Sequence, residues 1–464
     1  MNGTVSVRVF TTKVNRLAKG FSYTVRWKVD GQVFSKTYKT SAQANTRRSQ
    51  LVAAEKKGEL FSTITGLPAT LETRASGLRW YDFAVAYVDG KWPKIAGNTR
   101  KNLSKAMTTA TIALLRSPLP GHFDPVQVRT ALREWAFNAK RRADQDIPGE
   151  VREILEWVQR NTLPVANLDD EDTAEKFVTA LGTLLNGKPA AASSISRNRR
   201  IMNPAMEQAV KRRLIRANPL PKGRGESKPS SQAAQAIDKR SLLNAAQCTA
   251  LLTWVGQRSR MGRCYRAFFA TLYYAGLRPE EAVGMLVSDA TLPEEGWGEL
   301  LVHTAQPEVG SRWTDTGEVH EARGLKGRAQ GDTRPVPAYP TLVAVLRDLI
   351  ADYDLKPGDI LFQGEGGGIL SGSVYRRVWT KARKEVLPEH ECASPVGKRV
   401  YDLRHTCLTG WLNSGIPPAQ VAAWAGNSVA VLHATYARCV TGQLKDYQKR
   451  IEAARGVELE LTEG

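Results

Sequence analysis

The period of the apolar residues changes twice along the chain, and this constrains the fold more than any single motif does. Over residues 5–38 apolar side chains fall on alternate positions, as Val5, Val7 and Val9 and then as Tyr23, Val25, Trp27 and Val29. A period of two gives each strand one buried face and one solvated face. Asp30-Gly31 suits the two-residue turn of a hairpin leading into a third strand over residues 33–38. Ser41 can then cap a helix to about Lys57, whose Ala44, Leu51 and Ala54 would cover one sheet face. The spacing therefore predicts a small βββα module over residues 1–60, with Arg26 and Lys28 on its uncovered face.

Over residues 78–215 the period becomes helical, with segments at 99–115, 126–142, 148–160 and 173–185 and a basic helix after them. This predicts an all-α domain over 76–218, joined to the module by a linker at 61–75. A second linker, 219–240, is rich in Pro, Gly and Ser. From 241 to 464 the pattern is mixed α/β but mainly α. Helices fall at 245–257 and 264–275, strands at 299–304 and 333–337, and further helices start near residues 342, 373, 403 and 418. A tail helix over 441–455 would place Leu444, Tyr447 and Ile451 on one stripe.

Charge adds a functional constraint. The chain has 66 Lys and Arg against 46 Asp and Glu, a net charge of +20, which points to a polyanionic partner. Residues 1–60 carry +9 and residues 61–230 carry +10, leaving +1 for the remainder. The longest notable apolar run, 267–277, has 11 residues, against the roughly 20 that a membrane span needs. The amino terminus has no apolar signal core, and the five cysteines lack CxxC spacing. These features predict a cytoplasmic protein with reduced thiols, without a membrane partner, structural zinc or cofactor.

Four stretches of the last segment hold side chains suited to a phosphodiester: YYAGLRPEEAVGML around Arg278, GLKGRAQGDTRPVP around Lys326, YDLRHTCLTGWL around Arg404, and WAGNSVAVLHATYARC ending past Tyr436. Two guanidiniums can donate in pairs to non-bridging phosphate oxygens. A tyrosine hydroxyl can serve as nucleophile and a lysine as acid for the leaving oxygen.

Together these stretches resemble the tyrosine recombinase, or phage integrase, family. The first arginine box of that family, Gly-Leu-Arg with a Glu three residues on, is matched by Gly276, Leu277, Arg278 and Glu281, with Leu286 and Asp289 completing it. The second box, His-x-x-Arg-His, is matched by Tyr401-Asp402-Leu403-Arg404-His405. The third, Gly-His-Ser with tyrosine nine residues after the His, is matched by Gly426-Asn427-Ser428 and Tyr436. The style of this last box is most like integrases of actinobacterial phages and mobile elements.

The resemblance implies an arm-type DNA-binding module, a helical core-binding domain and a catalytic domain, in that order. Tyr436 is implied as nucleophile, Arg278 and Arg404 as phosphate ligands, Lys326 as general acid, and Tyr401 and Asn427 as hydrogen-bond donors to phosphate. Arg26 and Lys28, then Arg197, Arg199, Arg200, Lys211, Arg212 and Arg213, are the implied DNA contacts. A homotetramer acting on double-stranded attachment sites through a Holliday junction is also implied, with an excisionase or other directionality factor and a host DNA-bending protein as partners.

Tyr401 stands where the family usually has His and Asn427 where it has His or Trp, and neither can take up a proton near neutral pH. The base for Tyr436 is thus open, with His405 and His433 both read as structural. Two other readings fit the same chemistry or charge, namely a type IB topoisomerase and a family member that binds DNA without cutting it.

Overall fold

The computed structural model describes residues 3–17, 20–63, 66–68, 70–71, 77–144, 146–220, 237–325, 329, 331–436 and 448. Contacts divide the chain into two compact units, Met1–Lys222 and Gly223–Gly464.

Besides a short pair of Gly3–Thr4 with Phe61–Ser62, the first unit holds a sheet of strands β1 (Val7–Val9), β2 (Lys13–Leu17), β3 (Gly20–Val29) and β4 (Gln32–Tyr38), followed by helix α1 (Ser41–Lys56). β3 is central. β4 pairs along one edge, from Val29↔Gln32 to Tyr23↔Tyr38, while β1 and β2 share the other in tandem, at Val7↔Val29 and Lys13↔Thr24. The three-strand expectation is therefore corrected, because β2 is a further strand. Lys13, Val14, Asn15 and Arg16 on it include no buried side chain to set a period, and Val14 is exposed. Asp30 and Gly31 both take positive φ, as the hairpin turn requires. The cap of α1 is Thr40, whose hydroxyl accepts from Gln43 N at 3.3 Å, not the expected Ser41. Val25, Trp27 and Val29 pack with Ala44, Leu51 and Ala54, so Arg26 and Lys28 are left on the exposed face.

Helices α2 (Trp80–Lys91), α3 (Gly97–Ala113), α4 (Pro125–Ala131), α5 (Gly149–Asn161), α6 (Glu171–Leu181) and α7 (Ala192–Lys211) complete this unit. Their core includes Trp80, fully buried between Phe83 and Phe177, with its indole N–H donating to Thr111 Oγ1 at 2.9 Å. The single helix expected over 126–142 is broken. α4 passes into a π-helical turn, Leu132–Ala136, and Asn138 caps a new short helix by accepting from Arg141 N.

The second unit holds α8 (Ala245–Gly256), α9 (Gly262–Tyr274) and the four-residue α10 (Pro279–Ala282). Strands β5 (Ala290–Thr291), β6 (Gly298–Val302), β7 (Thr304–Ala305), β8 (Arg323–Gly324) and β9 (Arg334–Ala338) follow. β6 pairs antiparallel with both β5 and β9, and β7 pairs with β8. Then come α11 (Pro340–Asp352), α12 (Gly372–Val386), α13 (Tyr401–Asn413), α14 (Pro418–Ala425) and α15 (Val429–Tyr436). Phe268, Phe269, Leu346, Trp379 and Leu403 belong to one core, which holds α13, the helix that carries Arg404, in place. No described helix is long and apolar enough to cross a membrane. Lys326 and, but for Gln448, the expected tail helix lie outside the described residues, as does most of the second linker.

Candidate active site

Gly276 ends α9 at φ +61°, where a side chain would be strained and its Cβ would stand 3.2 Å from Cys407 Sγ. This turn delivers Arg278 to the start of α10, and Glu281 then folds back on it. The Glu281 carboxylate accepts from Arg278 N at 2.9 Å and from Arg278 Nη1 at 2.7 Å. The same carboxylate accepts both Nη atoms of Arg334, at 3.0 and 2.6 Å. Glu281 and Arg334 are buried. Burial pushes the Glu281 carboxyl up, but the Arg334 bonds and the charges of Arg334, Arg278 and Arg404 outweigh it and hold the group at about 2.

Arg404, wholly buried on α13, donates to the carbonyls of Gly276 and, at 2.7 Å, Ala425. Arg278 Nη2 donates to Gly426 O at 2.9 Å and to Asn427 Oδ1 at 2.7 Å. Three guanidiniums thus gather around one carboxylate. The cluster carries two positive charges in excess, and the Nε atoms of Arg334 and Arg404 have no partner among the described residues. Such an excess costs stability unless an anion joins it.

Gly426 makes this convergence possible. It ends α14 at φ +61°, and a Cβ there would collide with Arg334 Nη1. Gly426→Ala is expected to destabilise the protein by at least about 1–2 kcal/mol from the backbone alone. An unchanged thermal unfolding midpoint would count against this packing.

Tyr436 ends α15 with its ring buried, and its hydroxyl lies 2.9 Å from His405 Nδ1. Burial pushes the phenol up. His405 is held down at about 3 by burial and then by the Arg399 and Arg404 charges, so its imidazole is neutral. The Tyr401 ring packs edge-on against that imidazole at 4.9 Å. His405, read from the sequence as structural, is in direct contact with Tyr436, while His433 is exposed on α15. The structure brings Arg278, Arg404, Tyr401, Asn427 and Tyr436 into this cluster.

In the first unit, Arg26 and Lys28 are exposed on β3, Arg197, Arg199 and Arg200 on α7, Lys211 at its end, and Arg212 and Arg213 just beyond. Sequence reasoning missed the neighbours of Arg197. Lys105 on α3 is lowered by burial and by the charges of Lys101, Arg133 and Arg197, which outweigh that of Glu134. Four cations meet there, with Arg133 supplied by the π-helical turn. In the second unit, α12 exposes Arg376, Arg377, Lys381 and Lys384 around Thr380. Their helical spacing was readable, but the near-neutral average of residues 231–464 hid it.

No family model matches the chain, and no curated protein matches it. Among solved structures, a Tn1549 transposon integrase in complex with circular intermediate DNA aligns over 68% of this chain and 97% of its own, at 16% identity and a TM-score of 0.44. The XerH site-specific recombinase bound to difH substrate aligns over 79% and 99%, at 12% identity and a TM-score of 0.41. The lambda integrase bound to DNA aligns over 69% and 96%, at 14% identity and a TM-score of 0.36. These structural neighbours are tyrosine recombinases.

Proposed function

We propose that the protein is a site-specific DNA recombinase that cuts and rejoins attachment-site DNA through a 3'-phosphotyrosyl intermediate. One observation carries this reading: a buried tyrosine hydroxyl stands beside a guanidinium cluster with two uncompensated positive charges. Attack on a phosphodiester gathers about two negative charges on the transferring group, so this excess matches what the transition state develops. Arg278 and Arg404 exchange their carbonyl partners for non-bridging oxygens, Asn427 and Tyr401 add neutral donors, and Tyr436 attacks. The tyrosyl ester conserves the phosphodiester's energy, and rejoining needs no nucleotide. Lys326 protonates the leaving 5' oxygen.

The DNA grip divides among the exposed β3 face, the Lys105 cluster with α7, and α12. Four protomers exchange strands pairwise through a Holliday junction, integrating and excising a phage or mobile element in the bacterial cytoplasm. A directionality factor and a host DNA-bending protein set the outcome.

The test is a nicked duplex bearing the core that the full-length protein selects from a random pool, on which cleavage should trap a covalent adduct. Tight, salt-sensitive binding without any adduct would identify a protein that only binds DNA. Relaxation of plain supercoiled DNA without recombinants would identify a topoisomerase.

The cation cluster makes a separate prediction. Lys105→Gln should raise the unfolding midpoint slightly by relieving repulsion, yet lower the slope of log Kobs against log salt by about 0.9. Fluorescence anisotropy over a salt series reads the slope, and an unchanged slope removes Lys105 from the DNA surface.

A further inference from the structure

The proposed reaction leaves the proton of Tyr436 without a destination, and resting on that reading we propose that His405 Nδ1 accepts it as the tyrosyl oxygen attacks phosphorus, armed by the DNA phosphate itself. Among the described residues the Tyr436 hydroxyl makes one hydrogen bond, the 2.9 Å contact to His405 Nδ1. In the accepting tautomer the Nδ1 lone pair points at the phenolic proton, within the distance that general-base transfer needs. Asn427 is engaged by Arg278 at 2.7 Å and has no lone pair basic enough to hold a proton, and the Tyr401 phenol is itself a donor at neutral pH.

The charged and titratable groups facing His405 explain why the pair rests inactive without DNA. Tyr436 faces it from α15, Tyr401 and Arg404 from its own helix, and Arg399 from the turn before it. The two arginines and burial hold the imidazole far below neutrality while burial raises the phenol, so the proton stays on oxygen. A phosphate seated against Arg404 brings negative charge that offsets these cations and favours an imidazolium. The base is therefore weak in the free protein and strengthened where a phosphodiester is positioned for attack. Tyr401, packed edge-on against the imidazole, fixes its plane.

The step balances. The Tyr436 oxygen bonds to phosphorus, its proton passes to His405 Nδ1, and the bond from phosphorus to the 5' oxygen breaks, with a proton supplied to that oxygen by Lys326. On rejoining, a 5' hydroxyl attacks phosphorus and passes its proton to the now neutral Lys326 amine, the bond from phosphorus to the tyrosyl oxygen breaks, and the Nδ1 proton returns to that oxygen.

The experiment uses full-length protein and the nicked duplex described above, with adduct formation timed from acid to alkaline pH. His405→Asn keeps a polar group near Nδ1 but cannot carry the proton. It should form adduct about 100-fold or more slowly and lose the acid limb of the wild-type profile, with DNA binding unchanged. His405→Gln, judged by the same criteria, carries the test if the Asn variant does not fold. A variant within about threefold of wild type with the same acid limb overturns the assignment of His405 alone. Binding without adduct by the wild-type protein overturns the recombinase reading, and this proposal falls with it.

Discussion

Tyr436→Phe is expected to abolish the covalent protein–DNA adduct, lowering its rate of formation by more than about 10^4-fold, while the protein still folds and still binds DNA. The substitution removes one oxygen atom from a ring that is 2% exposed and leaves its packing among Leu408, Leu412, Val421 and Leu432 intact. The lost hydrogen bond to His405 is the only polar contact of the hydroxyl among the described residues, so the stability change should stay within about 1 kcal/mol. Unfolding midpoint and salt-dependent affinity therefore serve as controls in the same preparation. A denaturing gel reads the adduct. Adduct formation by the Phe variant at the wild-type rate would place the nucleophile on another residue.

What the sequence disclosed about this site follows from where each contact arises. Arg278 and Glu281 lie three residues apart, so their pairing across a single helical turn was readable as a box. The other half of that carboxylate's environment was not, because Arg334 stands 53 residues away on β9 and reaches Glu281 only through the tertiary fold. His405 was passed over for the same reason. Its partner Tyr436 is 31 residues on, and nothing in the local pattern distinguishes an imidazole facing a phenol from one facing a core.

The fold shows the same division. The alternation of Val25, Trp27 and Val29 was legible because one face of β3 is buried, whereas β2 left no apolar trace because backbone pairing and the Asn15 bond to Thr24 hold it at the edge. The helical break at Leu132–Ala136 comes from an added residue in the turn, which apolar spacing does not encode. Charge averaging concealed α12, where Arg383 is buried against the carbonyls of Val396 and Cys392 while four other cations face outward.

Removing the one carboxylate of the guanidinium cluster should have the second large effect. Glu281→Gln removes the one carboxylate hydrogen-bonded to Arg278 and Arg334, leaving only the more distant charge of Glu280 beside Arg278, in a site where Glu281 is 3% and Arg334 2% exposed. Breaking a buried ion pair in this way costs about 3–5 kcal/mol, which lowers the unfolding midpoint by on the order of 10 °C. The pH dependence gives an independent check. The folded carboxyl is held at about 2 against 4.5 for an ordinary glutamate, so the unfolded chain binds this proton more readily. Its contribution of about 3 kcal/mol is therefore fully present above the unfolded value and is lost as pH falls from there through about 2. The difference between wild-type and Glu281→Gln stabilities should accordingly shrink over that window. Glu294→Gln, at a side chain 90% exposed, should produce no such difference. Removal of the carboxylate raises the uncompensated charge from two to three, so a doubly charged anion should raise the midpoint of the variant more than that of the wild type. Equal stabilisation of both proteins by sulfate would mean that anions do not reach the cluster, and would remove the electrostatic basis for placing a phosphodiester there.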